Sequence, residues 1–89
     1  MLSLPAVVTH DQALATARGL KEQLATQTDS AVLDAGALTQ FDSSALAVIL
    51  ACRRDALAAG KTFAVQGLPP KLAQLAGLYG VAELIPSAR

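Results

Sequence analysis

Strand-like runs alternate with helix-like runs along the chain, and this alternation restricts the possible folds more than any other feature. Three runs have the apolar and β-branched content of strands: residues 2–8, 31–35 and 62–66. Three others carry apolar side chains at helical spacing or open with typical helix-start residues: residues 11–26, 44–59 and 69–79. Strands that alternate with helices of this length predict an α/β fold.

Proline and glycine mark the limits of these elements. Pro5 has no backbone N–H, so we expect the first strand to lie at a sheet edge or to begin after this residue. Gly60 and Gly80 are expected to end the second and third helices. Residues 81–85 are apolar enough to form a short fourth strand. The chain has 89 residues and no linker or repeat, which predicts a single domain over residues 1–89.

Charge and apolar patterning exclude several classes of partner. Seven basic residues balance seven acidic ones, whereas nucleic acids and anionic lipid surfaces favour a basic cluster. We therefore expect neither nucleic acid binding nor direct membrane insertion. The longest apolar run, residues 45–52, is far shorter than the roughly 20 residues that span a bilayer. Residues 1–5 do not resemble a signal peptide, so we expect a soluble cytoplasmic protein.

The residues that most enzymes and metal sites require are nearly absent. His10 is the only histidine and Cys52 the only cysteine. This composition predicts no internal disulfide, no metal site and no nucleophile paired with a histidine base. Neither a P-loop nor a dinucleotide-binding glycine motif occurs. We expect no enzyme activity and no cofactor.

The most informative segment is residues 41–47, with the sequence FDSSALA. A strand-like run precedes it and a helix follows, so Asp42, Ser43 and Ser44 should lie at a helix N-terminus. Either Asp42 or Ser43 can cap that helix. The helix dipole and the free N–H groups favour an anion or a hydrogen-bond acceptor there. A phosphate on Ser43 would be stabilised by the positive end of the helix dipole, although the negative charge of Asp42 would repel it.

The helix after the serines invites two interpretations. A helical wheel places Leu46, Ile49 and Leu50 on the core face, and Val48 and Ala51 on the opposite face. In one interpretation the helix is simply rich in alanine and Val48 is a tolerated surface residue. In the other, which we favour, the hydroxyl-bearing start and the small apolar residues form a docking face for a partner protein.

Two segments resemble a known family. Residues 42–47 (DSSALA) resemble the Asp-Ser-Ser-Gly-Leu-Gly turn of STAS domains, the fold of bacterial anti-sigma factor antagonists. Residues 67–72 (GLPPKL) and 75–81 (LAGLYGV) resemble the MlaB-type STAS subunit of the Mla phospholipid transporter. The resemblance covers nearly the whole chain. It implies a small mixed β-sheet of three to four strands covered by about three helices, with the first strand of the family short or missing.

The resemblance also implies a function. It suggests a non-catalytic cytoplasmic subunit that docks on the ABC transporter ATPase of an inner-membrane system for outer-membrane lipid asymmetry. The alternative is an anti-sigma factor antagonist controlled by phosphorylation of Ser43, where the family carries its key hydroxyl. Ala45 and Ala47 replace glycines of that branch, which disfavours recognition by its kinase. The expected partner-binding residues are Asp42, Ser43, Ser44, Ala45, Ala47, Val48 and Ala51.

Overall fold

A computed structural model describes residues 2–88, so the outermost residues of the predicted domain, 1 and 89, lie outside the described residues. Residues 2–88 contain five strands: β1 (Leu2–Ser3), β2 (Val7–Val8), β3 (Ser30–Asp34), β4 (Gln40–Phe41) and β5 (Thr62–Gln66). The same residues contain three α-helices, which lie between and after the strands: α1 (His10–Leu24), α2 (Ser44–Ala58) and α3 (Pro70–Leu78). The predicted α/β class is confirmed.

All strand pairs in the described residues are parallel. β3 pairs with β5 along its whole length and with β1 on its other side, so the strand order is β1-β3-β5. β2 and β4 form a separate two-stranded sheet. A small mixed sheet was expected, whereas the strands form two small sheets that are both parallel. The pairing is parallel because a helix lies in the chain between the two strands of each pair. Pro5 divides the predicted strand 2–8 into β1 and β2, and β1 lies at a sheet edge as expected.

The predicted strand at residues 81–85 is wrong. Gly80 reverses the chain directly after α3 with a φ of 72°, and Ala82–Leu84 then form a short 3₁₀ helix. Strand-like pairing begins only afterwards. The backbone of residues 86–88 forms two hydrogen bonds with Val65, at 2.8 and 2.9 Å. The end of the described chain therefore lies along the outer edge of β5.

The core is aliphatic, as expected from a chain with only 3% aromatic residues. Its largest fully buried side chains are Leu2, Leu4, Leu33, Ile49, Leu72 and Val8. α1 and α2 pack against each other extensively. Each of them returns the chain to a parallel strand, so the two helices run in the same direction and begin at the same end of the domain.

Two loops at the carboxyl ends of β3 and β5 touch through glycine. Gly67 has a φ of 69°, and a Cβ atom built on it would lie 3.0 Å from both Cα and N of Gly36. We expect Gly67→Ala to lower the free energy of unfolding by about 2 kcal/mol, because alanine is strained in this conformation and lacks space. Urea denaturation measures the loss.

Gly77→Ala is the matched control for that substitution. A Cβ atom at Gly77, inside α3, would meet no atom within 4 Å. Alanine also favours the helix, so this variant should be as stable as the wild type or more stable. Equal denaturation midpoints for the two variants would contradict the proposed close contact of the loops.

Candidate functional site

Asp42, Ser43 and Ser44 form what we call the serine tip. β4 ends at Phe41 and α2 begins at Ser44, so these residues lie at the N-terminal end of α2, where the helix dipole is positive. Asp42 and Ser43 are exposed, and Ser44 is partly buried. The predicted position of the segment at a helix start is confirmed.

Asp42, and not Ser43, provides the side-chain cap of α2. Its Oδ1 atom accepts a hydrogen bond from the N–H of Ser44 at 2.8 Å. Its Oδ2 atom accepts one from the N–H of His10, the first residue of α1, at 3.1 Å. The hydrogen bond from Ser44 is the main reason that the pKa of the Asp42 carboxyl lies below its ordinary value, and the bond from His10 lowers this pKa further. An ionised carboxylate thus lies between the starts of two helices.

Ser43 leaves its hydroxyl group available. The residue precedes α2 with helical backbone angles, φ −63° and ψ −16°, and its side chain makes no capping hydrogen bond. Within residues 2–88 no other hydrogen-bond partner for this hydroxyl is found. Because Ser43 is also exposed, its hydroxyl can bond to a partner protein or carry a modification.

The predicted orientation of α2 is correct for the core residue Ile49 but wrong for Val48 and Leu50. Val48 and Ala45 are buried, at 2% and 0% exposure, and Ala45 therefore belongs to the core. Leu50, predicted to be a core residue, is only partly buried. The cause is α1, which packs beside α2 and covers the side that the wheel assigned to solvent. Asp55 lines the groove between the two helices, and Val48 lies two turns earlier on the same side.

The exposed side of α2 begins at Ser43 and continues at helical spacing. Ala47 and Arg54 are exposed, and Leu50 between them is partly buried. We call Ser43, Ala47, Leu50 and Arg54 the α2 stripe. Ala51, beside it, is partly buried. Leu50 and Arg54 were not among the predicted docking residues, although steps of three and four residues from Ser43 lead directly to both.

A protein-family model described as "Mlab, STAS domain" matches residues 1–86. This chain belongs to the STAS family. The two parallel sheets and three helices are consistent with the STAS fold, and the resemblance of residues 67–81 to MlaB-type subunits agrees with the description of the matching family. Membership supports a regulatory or protein-interaction role for the chain. A search of curated proteins gives no match.

The described residues form no metal-binding cluster and no reactive thiol. Residues 2–88 hold no group of three or more metal-ligating side chains. Cys52 is buried, and this burial, with a smaller contribution from Asp55, raises the pKa of the thiol to about 11. A thiol of that pKa is protonated at neutral pH and is a poor nucleophile. No helix of the described STAS domain has the length and apolarity needed to cross a membrane.

Proposed function

We propose that this STAS domain is a non-catalytic cytoplasmic subunit that binds and regulates the ABC transporter ATPase of an intermembrane phospholipid transport system. That system would maintain outer-membrane lipid asymmetry, and the domain would be peripheral to the inner membrane through the ATPase and its permease. The family description supports the MlaB-type branch. The observation that carries the proposal is the exposed Ser43 hydroxyl at the head of the α2 stripe.

Contact with the ATPase is proposed at the exposed parts of the site. Asp42, Ser43 and Ser44 offer acceptors and hydroxyl groups to a partner. Ala47 and Ala51 have short side chains, so a partner helix can approach the backbone of α2 closely. Ala45 and Val48 are buried. They would not contact the ATPase but would hold α2 in position through their packing in the core.

Regulation would follow from unequal affinity. A domain without catalytic groups changes the activity of an ATPase only by binding one of its conformations more tightly than another. The strength of the regulation is then limited by the difference in affinity between the two conformations. Docking at the serine tip is the step on which this difference would depend.

Ala47→Glu tests the proposed docking surface. We expect this variant, and also Ser43→Arg, to reduce capture of the ATPase and permease from native cells at least about tenfold, because a long charged side chain prevents close approach. Ala73→Glu is the matched control, since Ala73 is an exposed alanine on α3. If Ala47→Glu captures the complex as well as Ala73→Glu does, the docking surface lies elsewhere.

A second candidate is an anti-sigma factor antagonist controlled by serine phosphorylation. The free, exposed hydroxyl of Ser43 favours it. The ionised Asp42 opposes it, because its charge lies beside the position that a phosphate would take. Recovery of a serine kinase and an anti-sigma factor in the same capture experiment, with phosphate mapped to Ser43, would support this candidate against the transporter subunit.

A further inference from the structure

We infer that Asp42 is a positioning residue that joins the start of α1 to the start of α2 and thereby fixes the α2 stripe in its orientation. The inference deepens the proposed docking function and rests on it, because the orientation of the α2 stripe matters for function only if the stripe binds a partner. The link itself is a property of the folded chain, so it can be tested without any partner.

The two oxygen atoms of the Asp42 carboxylate bind different helices. Oδ1 takes the N–H of Ser44 in α2, at 2.8 Å, and Oδ2 takes the N–H of His10 in α1, at 3.1 Å. The first N–H groups of a helix have no partner inside it. In α1 the capping box joins Thr9 and Gln12, which leaves the N–H of His10 to an outside acceptor. One side chain therefore satisfies an N–H group at each helix start.

The small sheet of β2 and β4 brings the two helix starts together. Val8 pairs with Phe41 in this sheet, and each of these residues ends the strand that leads towards a helix. Asp42 follows Phe41 directly. Because both helices present their positive ends at this point, one negative charge between them is favourable to both. Ser43, the next residue, is thus held in place by α1 as well as by α2.

Amide proton shifts in wild-type protein test the link. An amide that donates to a carboxylate changes its chemical shift when that carboxylate is protonated. We expect the His10 and Ser44 amides to show an acid step with one common midpoint, below the ordinary range of aspartate. The imidazole of His10, on α1, is the charged group that acts on Asp42 from another element. A His10 amide without an acid step, or with a midpoint unlike that of Ser44, would overturn the link.

Asp42→Ser separates the two bonds. Serine can still cap the N–H of Ser44 locally but is too short to reach α1. We expect the His10 amide to lose its acid step and to exchange with solvent about tenfold faster, while exchange at Ser44 stays within about twofold. A His10 step that persists in Asp42→Ser belongs to another group and overturns the link.

Asp11→Ser is the matched control, because Asp11 is also an exposed acidic residue at the start of α1. It should leave the acid step and the exchange rate of both amides as they are in the wild type. The positioning role has its own readout in the capture experiment, where Asp42→Ser should recover several-fold less ATPase than Asp11→Ser. Equal recovery by the two variants would overturn that role. Failure of the proposed function would look different, since the wild-type protein itself would then capture neither ATPase nor permease, while the amide results for the link would be unaffected.

Discussion

Replacing Val48 with glutamate is expected to destabilise the fold strongly rather than only to block docking. Val48 belongs to the core and packs on the side of α2 that α1 covers. A carboxylate placed there loses its hydration without gaining a partner, which costs about 3–5 kcal/mol. Small domains are stable by only about 5–15 kcal/mol in total, so the loss should be plain in urea denaturation.

The pH dependence of this loss identifies its cause. Burial raises the pKa of the introduced carboxyl in the folded state above its value in the unfolded chain. The folded state then binds more protons, so the stability deficit should be smaller at about pH 5 than at about pH 7.5. Ala47→Glu, one residue away and exposed, should change the free energy of unfolding by less than about 0.5 kcal/mol. Equal losses of stability in the two variants would mean that Val48 is exposed rather than buried.

Ile49→Ala is expected to lower the free energy of unfolding by about 3 kcal/mol, because it leaves a cavity at a side chain with 0% exposure. Leu50→Ala, at the next position, should cost only about 1 kcal/mol, since Leu50 is partly buried and its neighbours can close around the gap. Chemical denaturation of both variants compares two neighbouring residues of one helix. A greater cost at Leu50 would mean that Leu50, rather than Ile49, is the more deeply buried of the two.

Features set by neighbouring residues were predictable from the sequence. β5 was predicted at residues 62–66, where it lies, because β-branched and aromatic residues favour extended backbone locally. Gly60 ends α2 with a φ of 77°, a conformation that glycine adopts without strain. The start of α2 beside Asp42 followed from capping chemistry in the same way.

Features set by distant residues were not predictable. The hydrogen bond from His10 to Asp42 joins groups 32 positions apart, and the capping pattern of neither helix contains it. The burial of Val48 depends on where α1 packs, whereas a helical wheel assumes one buried face. A helix that is apolar on most sides is typically buried on more than one side. The small apolar residues of α2 therefore indicated that a second side of this helix could be covered. The position of the serine tip at the start of α2 was therefore predictable from the sequence, whereas two residues of the predicted docking surface, Ala45 and Val48, are buried.

The hydrogen bonds between Val65 and residues 86–88 have a consequence for colloidal behaviour. An uncovered strand edge is a template on which strands of other molecules can add, and this is a common start of aggregation. Residues 86–88 occupy part of the outer edge of β5. Within the described chain the opposite edge of that sheet is β1, which has two residues and is followed closely by Pro5. The covered part of the β5 edge therefore offers no backbone to a second molecule, which helps to keep an aliphatic chain of this kind from forming fibrils.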